Sequence, residues 1–108
     1  MALRKGYLLK LKPGALEQYM HWHDNIWPEL QKEIADQGIA EITLWNLRDM
    51  VILTSVVKDE DSWTRLWDSE IHKKWADIMN PLMHYRPDNV VDSEEITEIW
   101  HFEPGKGA

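Results

Sequence analysis

The chain has 108 residues, enough for a single domain with one hydrophobic core. Its net charge of −7 and its lack of clustered Lys and Arg argue against nucleic-acid binding, because phosphate recognition needs concentrated positive charge. It contains no cysteine, which excludes disulfides, thiolate nucleophiles and Cys-ligated metals. With no apolar run of membrane-spanning length and no signal peptide, we expect one soluble, cytoplasmic domain over residues 1–108.

The first part of the chain predicts a strand followed by a divided helix. Residues 4–12 (RKGYLLKLK) alternate in hydropathy, as in a strand with one buried face. From Leu16 to Ile34 apolar residues recur every three or four positions, which is typical of an amphipathic helix. Pro28 lies inside this pattern and should divide the helix, with the second part ending at Gly38.

Two strands and a second helical region come next. Residues 39–46 and 50–57 are separated by a short turn and predict an antiparallel hairpin. A short helix capped by Asp59 or Asp61 is expected to follow, and Ser69 should cap a longer one.

The C-terminal part predicts an irregular polar segment over residues 83–94 and a last strand over residues 96–102. The resulting order is strand, helix, strand, strand, helix, strand, the ferredoxin-like (βαββαβ) arrangement of the α+β class. Its four-stranded antiparallel sheet carries helices on one face only. We expect a second copy of the chain to cover the other face, giving a homodimer of the dimeric α/β barrel type.

Tyr19 and His23 are the residues that most directly indicate chemistry. They are four positions apart in the first predicted helix, so their side chains share one face. A phenol beside an imidazole can hold a small polar ligand and exchange protons with it near neutral pH. Two interpretations of His23 are open: a general acid/base, or a partly buried histidine that is hydrogen-bonded to the backbone.

The sequence calls for neither a metal nor a cofactor. His21 and His23 are two positions apart, which on a helix sends them to nearly opposite sides, and no HExxH-type spacing occurs. No Gly-rich phosphate loop is present, and no Ser or Thr stands in a nucleophile context. Of the reaction types considered, these patterns therefore favour acid/base chemistry without a covalent intermediate.

Three further sites each have two interpretations. Trp75 either packs in the core or offers a flat apolar face to the C–H side of a sugar ring. Trp27, four residues after His23, is either core or pocket wall. Asp88 and Asn89 are either turn residues or hydrogen-bonding partners of a ligand.

Residues 23–30 (HDNIWPEL) resemble the H-x-x-I-W-P-E-L signature of the L-rhamnose mutarotase family. The resemblance extends from about residue 4 to residue 102. Further matching features follow in order, namely Gly38 closing the helix, Lys74-Trp75 followed by Met79, and Pro87-Asp88-Asn89 before the last strand. The resemblance implies a dimeric ferredoxin-like domain that interconverts the α and β anomers of a 6-deoxy sugar, a small monosaccharide.

The resemblance also implies roles for individual residues. His23 matches the family's proton donor, and Tyr19 and Trp75 match residues that contact the substrate. Ala76 stands where a second substrate-contacting Trp is expected, and Ile42 stands where a further substrate Tyr is expected. These two departures remove one aromatic wall and one phenol, but the proton-transfer pair is kept, so the resemblance supports mutarotation better than it supports L-rhamnose as the sugar. A related branch that acts on L-fucose also lacks those aromatic residues. The Ile-Trp-Pro-Glu-Leu form of the signature favours L-rhamnose.

Two functions of other kinds stay open. Ferredoxin-like dimers also host cofactor-free oxygenases and isomerases, and Trp and Tyr could serve a sugar-binding module without catalysis. The signature favours a mutarotase that opens the sugar ring by acid/base catalysis over both. The complementary base is not identified by the sequence, and water or Asp88 are the candidates.

Overall fold

The computed structural model describes residues 3–88 and 91–105. Helices and strands occur in the order β1 (Leu3–Lys10), α1 (Leu16–Asp24), α2 (Pro28–Asp36), β2 (Ile39–Leu47), β3 (Met50–Val57), α3 (Ser62–Trp67), α4 (Glu70–Met79) and β4 (Ser93–Ile96). A single 3₁₀ turn, Asn80–Leu82, follows α4 directly. Each helix of the described residues is too short or too polar to span a lipid bilayer.

The four strands form one antiparallel sheet in the order β2-β3-β1-β4. This strand order and the βαββαβ succession confirm the predicted ferredoxin-like α+β fold, with each helical region split into two helices. The core lies between the helices and one face of the sheet, where Leu30 and Leu66 are almost fully buried against β3 residues such as Val51. Buried Trp63 satisfies its indole N–H by donating to Ser55 Oγ at 2.9 Å.

The predicted division of the first helix is confirmed, and it has a local cause. Pro28 occupies the first turn of α2, where its missing N–H costs nothing, and Trp27 before it has extended backbone. The helix pair ends at Gly38, whose φ of +87° suits glycine. A Cβ there would also lie 2.7 Å from Lys58 Cβ, so the chain needs glycine at this turn for close approach to the end of β3.

The helix caps agree with the sequence in one case and differ in the other. Ser69 Oγ accepts a hydrogen bond from the His72 backbone N–H at 3.3 Å, the expected cap of α4. Asp61 is at the N-cap of α3 but makes no capping hydrogen bond with its side chain. Asp59 instead accepts from the Asp61 backbone N–H and pairs with Arg65, which fixes the turn before α3.

The prediction of a last strand over residues 96–102 is wrong. The strand is β4, four residues long, and it pairs with the stretch of β1 from Gly6 to Leu9. Residues 97–102 continue without a strand partner among the described residues, and Ile99 and Trp100 in this segment are 94% and 76% exposed. Apolar alternation in this segment therefore does not reflect burial within the described chain.

Candidate active site

A cavity of about 570 Å³ lies between the sheet and the helices. The five residues to which the family resemblance assigned places in the site all line it, although they come from three different elements: Tyr19 and His23 from α1, Ile42 from β2, and Trp75 and Ala76 from α4. The fold therefore brings the predicted site residues together in one place.

His23, in the last turn of α1, is held in one tautomer by its own helix. Its Nδ1 lies 2.8 Å from the carbonyl oxygen of Tyr19. Because a carbonyl oxygen can only accept, Nδ1 must carry the hydrogen, and in the neutral ring Nε2 keeps its lone pair. Burial lowers the pKa of His23 below its ordinary value, and the hydrogen bond to Tyr19 and the charge of Asp24 offset this only in part. The imidazole is thus poised as a neutral base that can accept a proton at Nε2.

Tyr19 lies against the imidazole of His23, with ring centroids 4.3 Å apart. The tyrosine is only 5% exposed, and burial raises the pKa of its phenol to about 12. Its hydroxyl therefore stays protonated at neutral pH. Within the described part of the chain no group hydrogen-bonds to this hydroxyl, so it is available to donate to a ligand in the cavity.

Trp75 combines the two alternatives that the sequence left open. It is buried in the core, yet it also lines the cavity. Its ring meets His23 edge to face, with centroids 5.3 Å apart and planes 87° apart, and it meets Trp27 in the same way at 5.2 Å. Trp27 itself packs against the core and is not among the residues that line the cavity. Trp75 therefore packs against His23 within the cavity wall, and Trp27 packs against Trp75 from outside the cavity.

The remaining walls of the cavity are mostly apolar. Ile42 shares its wall with Leu44 and Leu53, all from the helix-covered side of the sheet. Ala76 contributes only a methyl group and leaves room beside Trp75. A concave apolar site with a few convergent polar groups is the usual form of a small-molecule site.

The loop residues named from the sequence are not part of this arrangement. Asp88 pairs with Arg86 at 3.6 Å and is not among the residues that line the cavity. Asn89 lies outside the described residues. Asp88 is therefore placed as a turn residue, and its candidacy as the complementary base loses its geometric support.

Sequence reasoning missed His72, a second histidine that lines the cavity. Its spacing could have indicated this position, because His72 precedes Trp75 by three residues and Ala76 by four and therefore shares their face of one amphipathic helix. Tyr7 of β1 also lines the cavity, where its ring contacts Trp67.

Together, the fold and the cavity define a ferredoxin-like domain with a mostly apolar cavity in which a partly buried histidine and a buried tyrosine lie side by side. The family model of L-rhamnose mutarotase matches residues 4–102. The chain therefore belongs to the L-rhamnose mutarotase family, a family of isomerases.

Individual relatives agree with this membership. The L-rhamnose mutarotase of Clostridium beijerinckii is 30% identical over 101 residues, which cover 92% of this chain and 97% of the relative. The crystal structure of an L-rhamnose mutarotase from Formosa agariphila superimposes with a TM-score of 0.78 at 28% identity, covering 94% of this chain and 99% of the other. A cofactor-independent oxygenase from Streptomyces nogalater, SnoaB, has a TM-score of 0.62 at 13% identity, with 93% and 95% of the chains covered. This last likeness extends to the fold alone.

Proposed function

We propose that the protein is a mutarotase that interconverts the α and β anomers of a 6-deoxy-hexose, with L-rhamnose as its sugar. The observation that carries the proposal is the state of His23. A histidine with its Nδ1 hydrogen bonded to a backbone carbonyl has a single nitrogen free to exchange protons, and this one lines a cavity of sugar-binding size. Family membership supplies the reaction class.

The reaction needs one proton to leave the anomeric hydroxyl and one to reach the ring oxygen. Neutral His23 takes the hydroxyl proton at Nε2 while the C1–O1 bond becomes a carbonyl and the C1–O5 bond breaks. The imidazolium then gives the same proton to O5, which completes the open-chain aldehyde. Rotation about the C1–C2 bond and the reverse steps close the ring on the other face. One residue is thus base and proton donor in turn, and the proton count balances without a second base.

The other lining residues have supporting roles in this proposal. Tyr19 donates a hydrogen bond to a sugar oxygen, since its phenol stays protonated. Trp75 forms an apolar wall for the C–H side of the ring and holds the imidazole in place. Ile42 and its apolar neighbours receive the C6 methyl group, and Ala76 leaves space for the sugar.

Anomeric exchange measured by proton NMR saturation transfer tests the proposal. L-Rhamnose and L-fucose are compared in parallel with protein in catalytic amounts. Faster exchange of L-rhamnose is expected, because the relatives are named for this sugar. Preference for L-fucose would move the protein to the alternative branch, and no acceleration of either sugar would overturn the mutarotase proposal.

We also propose that the protein is a homodimer. The helix-free face of the sheet carries Trp45 and Ile96 among other apolar side chains, and Trp45 is 60% exposed. The exposed segment 97–102 adjoins the same face through Ile96. A second copy that covers this face would remove an apolar surface that a monomer leaves in water. The cytoplasmic location expected from the sequence stays a prediction, which cell fractionation can test.

A further inference from the structure

A second histidine, His72, faces the same cavity as His23 and is not needed for the proton transfer proposed above. It lies in the first turn of α4, on the helix face that also carries Trp75 and Ala76. Trp75 in turn contacts the His23 ring at 5.3 Å between centroids. His72 therefore lies about one helical turn, roughly 5 Å, along the cavity wall from the residue that packs on the proposed acid/base.

The imidazole of His72 has no polar partner within residues 3–88 and 91–105. Its hydrogen bond to Ser69 is made by the backbone N–H and leaves both ring nitrogens unused. Burial lowers the pKa of His72, so at neutral pH the ring is uncharged and offers one donor and one acceptor. Ala76, one turn further along α4, is too small to cover the ring.

His72 is also the polar member of an otherwise apolar wall. The other residues that α4 contributes to the cavity are Trp75, Ala76 and Met79. Leaving a half-buried polar ring unpaired is unfavourable, and a hydroxyl-rich ligand would satisfy it. Trp75 offers the ligand an apolar surface, and His72 offers the adjoining hydrogen bond.

We propose that His72 is a substrate-binding residue that hydrogen-bonds to a ring hydroxyl of the sugar and helps to determine which 6-deoxy-hexose is accepted. This inference rests on the proposed function, since it identifies a residue by which the same cavity distinguishes between 6-deoxy-hexoses. L-Rhamnose and L-fucose differ only in the orientation of ring hydroxyls, at C2 and C4. One well-placed hydrogen bond can therefore distinguish them.

His72→Leu and His72→Gln test the role, with KM and kcat for anomeric exchange of both sugars as readouts. Loss of one hydrogen bond should raise KM of the preferred sugar about five- to tenfold in H72L, with kcat within about twofold. H72Q keeps a donor and an acceptor and should retain most of the wild-type affinity. His21→Leu is the matched control, because His21 is exposed on α1 and does not line the cavity. Unchanged KM and unchanged sugar preference in folded H72L would overturn the role of His72.

The two proposals fail in distinguishable ways. If the wild-type protein accelerates neither sugar, the mutarotase proposal fails, and binding is then followed by saturation-transfer difference NMR with L-rhamnose and L-fucose. Weaker binding by H72L than by H21L would still support the contact, whereas equal binding would overturn it. A wild-type protein that binds neither sugar would overturn both proposals. If thermal unfolding reveals that H72L does not fold, His72→Ala replaces it, with the same rise in KM expected because alanine also removes the side-chain hydrogen bond.

Discussion

The imidazole of His23 donates its Nδ1 hydrogen to the carbonyl oxygen of Tyr19, one turn earlier in the same helix, over 2.8 Å. This bond decides which ring nitrogen can react. It leaves Nε2 as the ring nitrogen that is available for proton exchange with a ligand, and it holds the ring close to the Tyr19 phenol. The four-residue spacing of Tyr19 and His23, which can be read from the sequence, thus fixes both the tautomer and the position of the proposed acid/base.

Tyr19→Phe should slow anomeric exchange only moderately. The variant keeps the buried ring and the carbonyl that holds His23, and it removes a hydroxyl that has no partner among the described residues. We expect kcat/KM to fall about five- to tenfold, the equivalent of one hydrogen bond, with an almost unchanged thermal midpoint. A loss as large as that of His23→Ala would instead assign the phenol to the proton transfer itself.

The pH dependence should follow the neutral form of His23. Since burial lowers its pKa, kcat/KM should rise with pH through an apparent pKa below the ordinary value of about 6.5 and stay level to about pH 8. An acid limb centred above pH 6.5 would contradict the assignment. A pH–rate profile of sugar exchange, with substrate well below KM, measures this directly.

The same shifts predict how stability depends on acid. His23 and His72 both have lowered pKa values, so below about pH 6.5 the unfolded chain binds more protons than the folded one. The free energy of unfolding should therefore fall as the pH drops through this range. Urea unfolding at pH 7.5 and pH 5.5 tests it, and the double variant His23→Gln, His72→Gln should lose much of the difference. An equal drop in the double variant would assign the effect to other groups.

Trp75→Ala should weaken both the core and the site. Trp75 is 5% exposed and touches His23, Trp22 and Trp27, so its removal leaves a large cavity. We expect a loss of about 3–5 kcal/mol in the free energy of unfolding. Trp75→Phe, which keeps an aromatic ring, should cost less and retain part of the activity. Denaturant unfolding measures the stability, and a loss below about 1 kcal/mol in W75A would contradict the packing role.

Trp45→Glu tests the proposed dimer. The variant places a charge on the helix-free face of the sheet, where Trp45 is exposed. Light scattering after size-exclusion chromatography should give a dimer for the wild type and a monomer for W45E. Met20→Glu is the control, because Met20 is equally apolar and 52% exposed but lies on α1. A monomeric wild type would contradict the dimer.

Local patterns were sufficient to predict most of the fold. The period of the apolar residues gave β3 its bounds, and Pro28 and Ser69 gave α2 and α4 their beginnings, because each of these signals acts through the backbone nearby. The last strand could not be placed in this way. Alternation shows which residues suit a strand, but a strand also needs a neighbour, and β1 pairs with β4 only as far as Ile96.

Sequence spacing was sufficient to predict the part of the candidate site that lies on one helix. It was not sufficient for the parts that packing brings together from different elements. Tyr19 and His23 form a pair through sequence spacing alone. That Ile42 and Trp75 meet this pair in one cavity had to come from the resemblance to a family, since they are far away in sequence. The only sequence signal for His72 was its spacing of three and four residues from Trp75 and Ala76. It was missed because such spacing on an amphipathic helix does not by itself distinguish a histidine that faces a cavity from one that faces solvent.

His23→Ala is the decisive test of the proposal that His23 performs the proton transfer. Anomeric exchange is measured by NMR for the wild type, H23A and the control His21→Ala, whose exposed side chain lies on the same helix. H23A is expected to fold and to catalyse anomeric exchange at least about 100-fold more slowly than the wild type, while H21A keeps the wild-type rate. A folded H23A with wild-type exchange would contradict the claim and leave the cavity as a binding site without this catalyst.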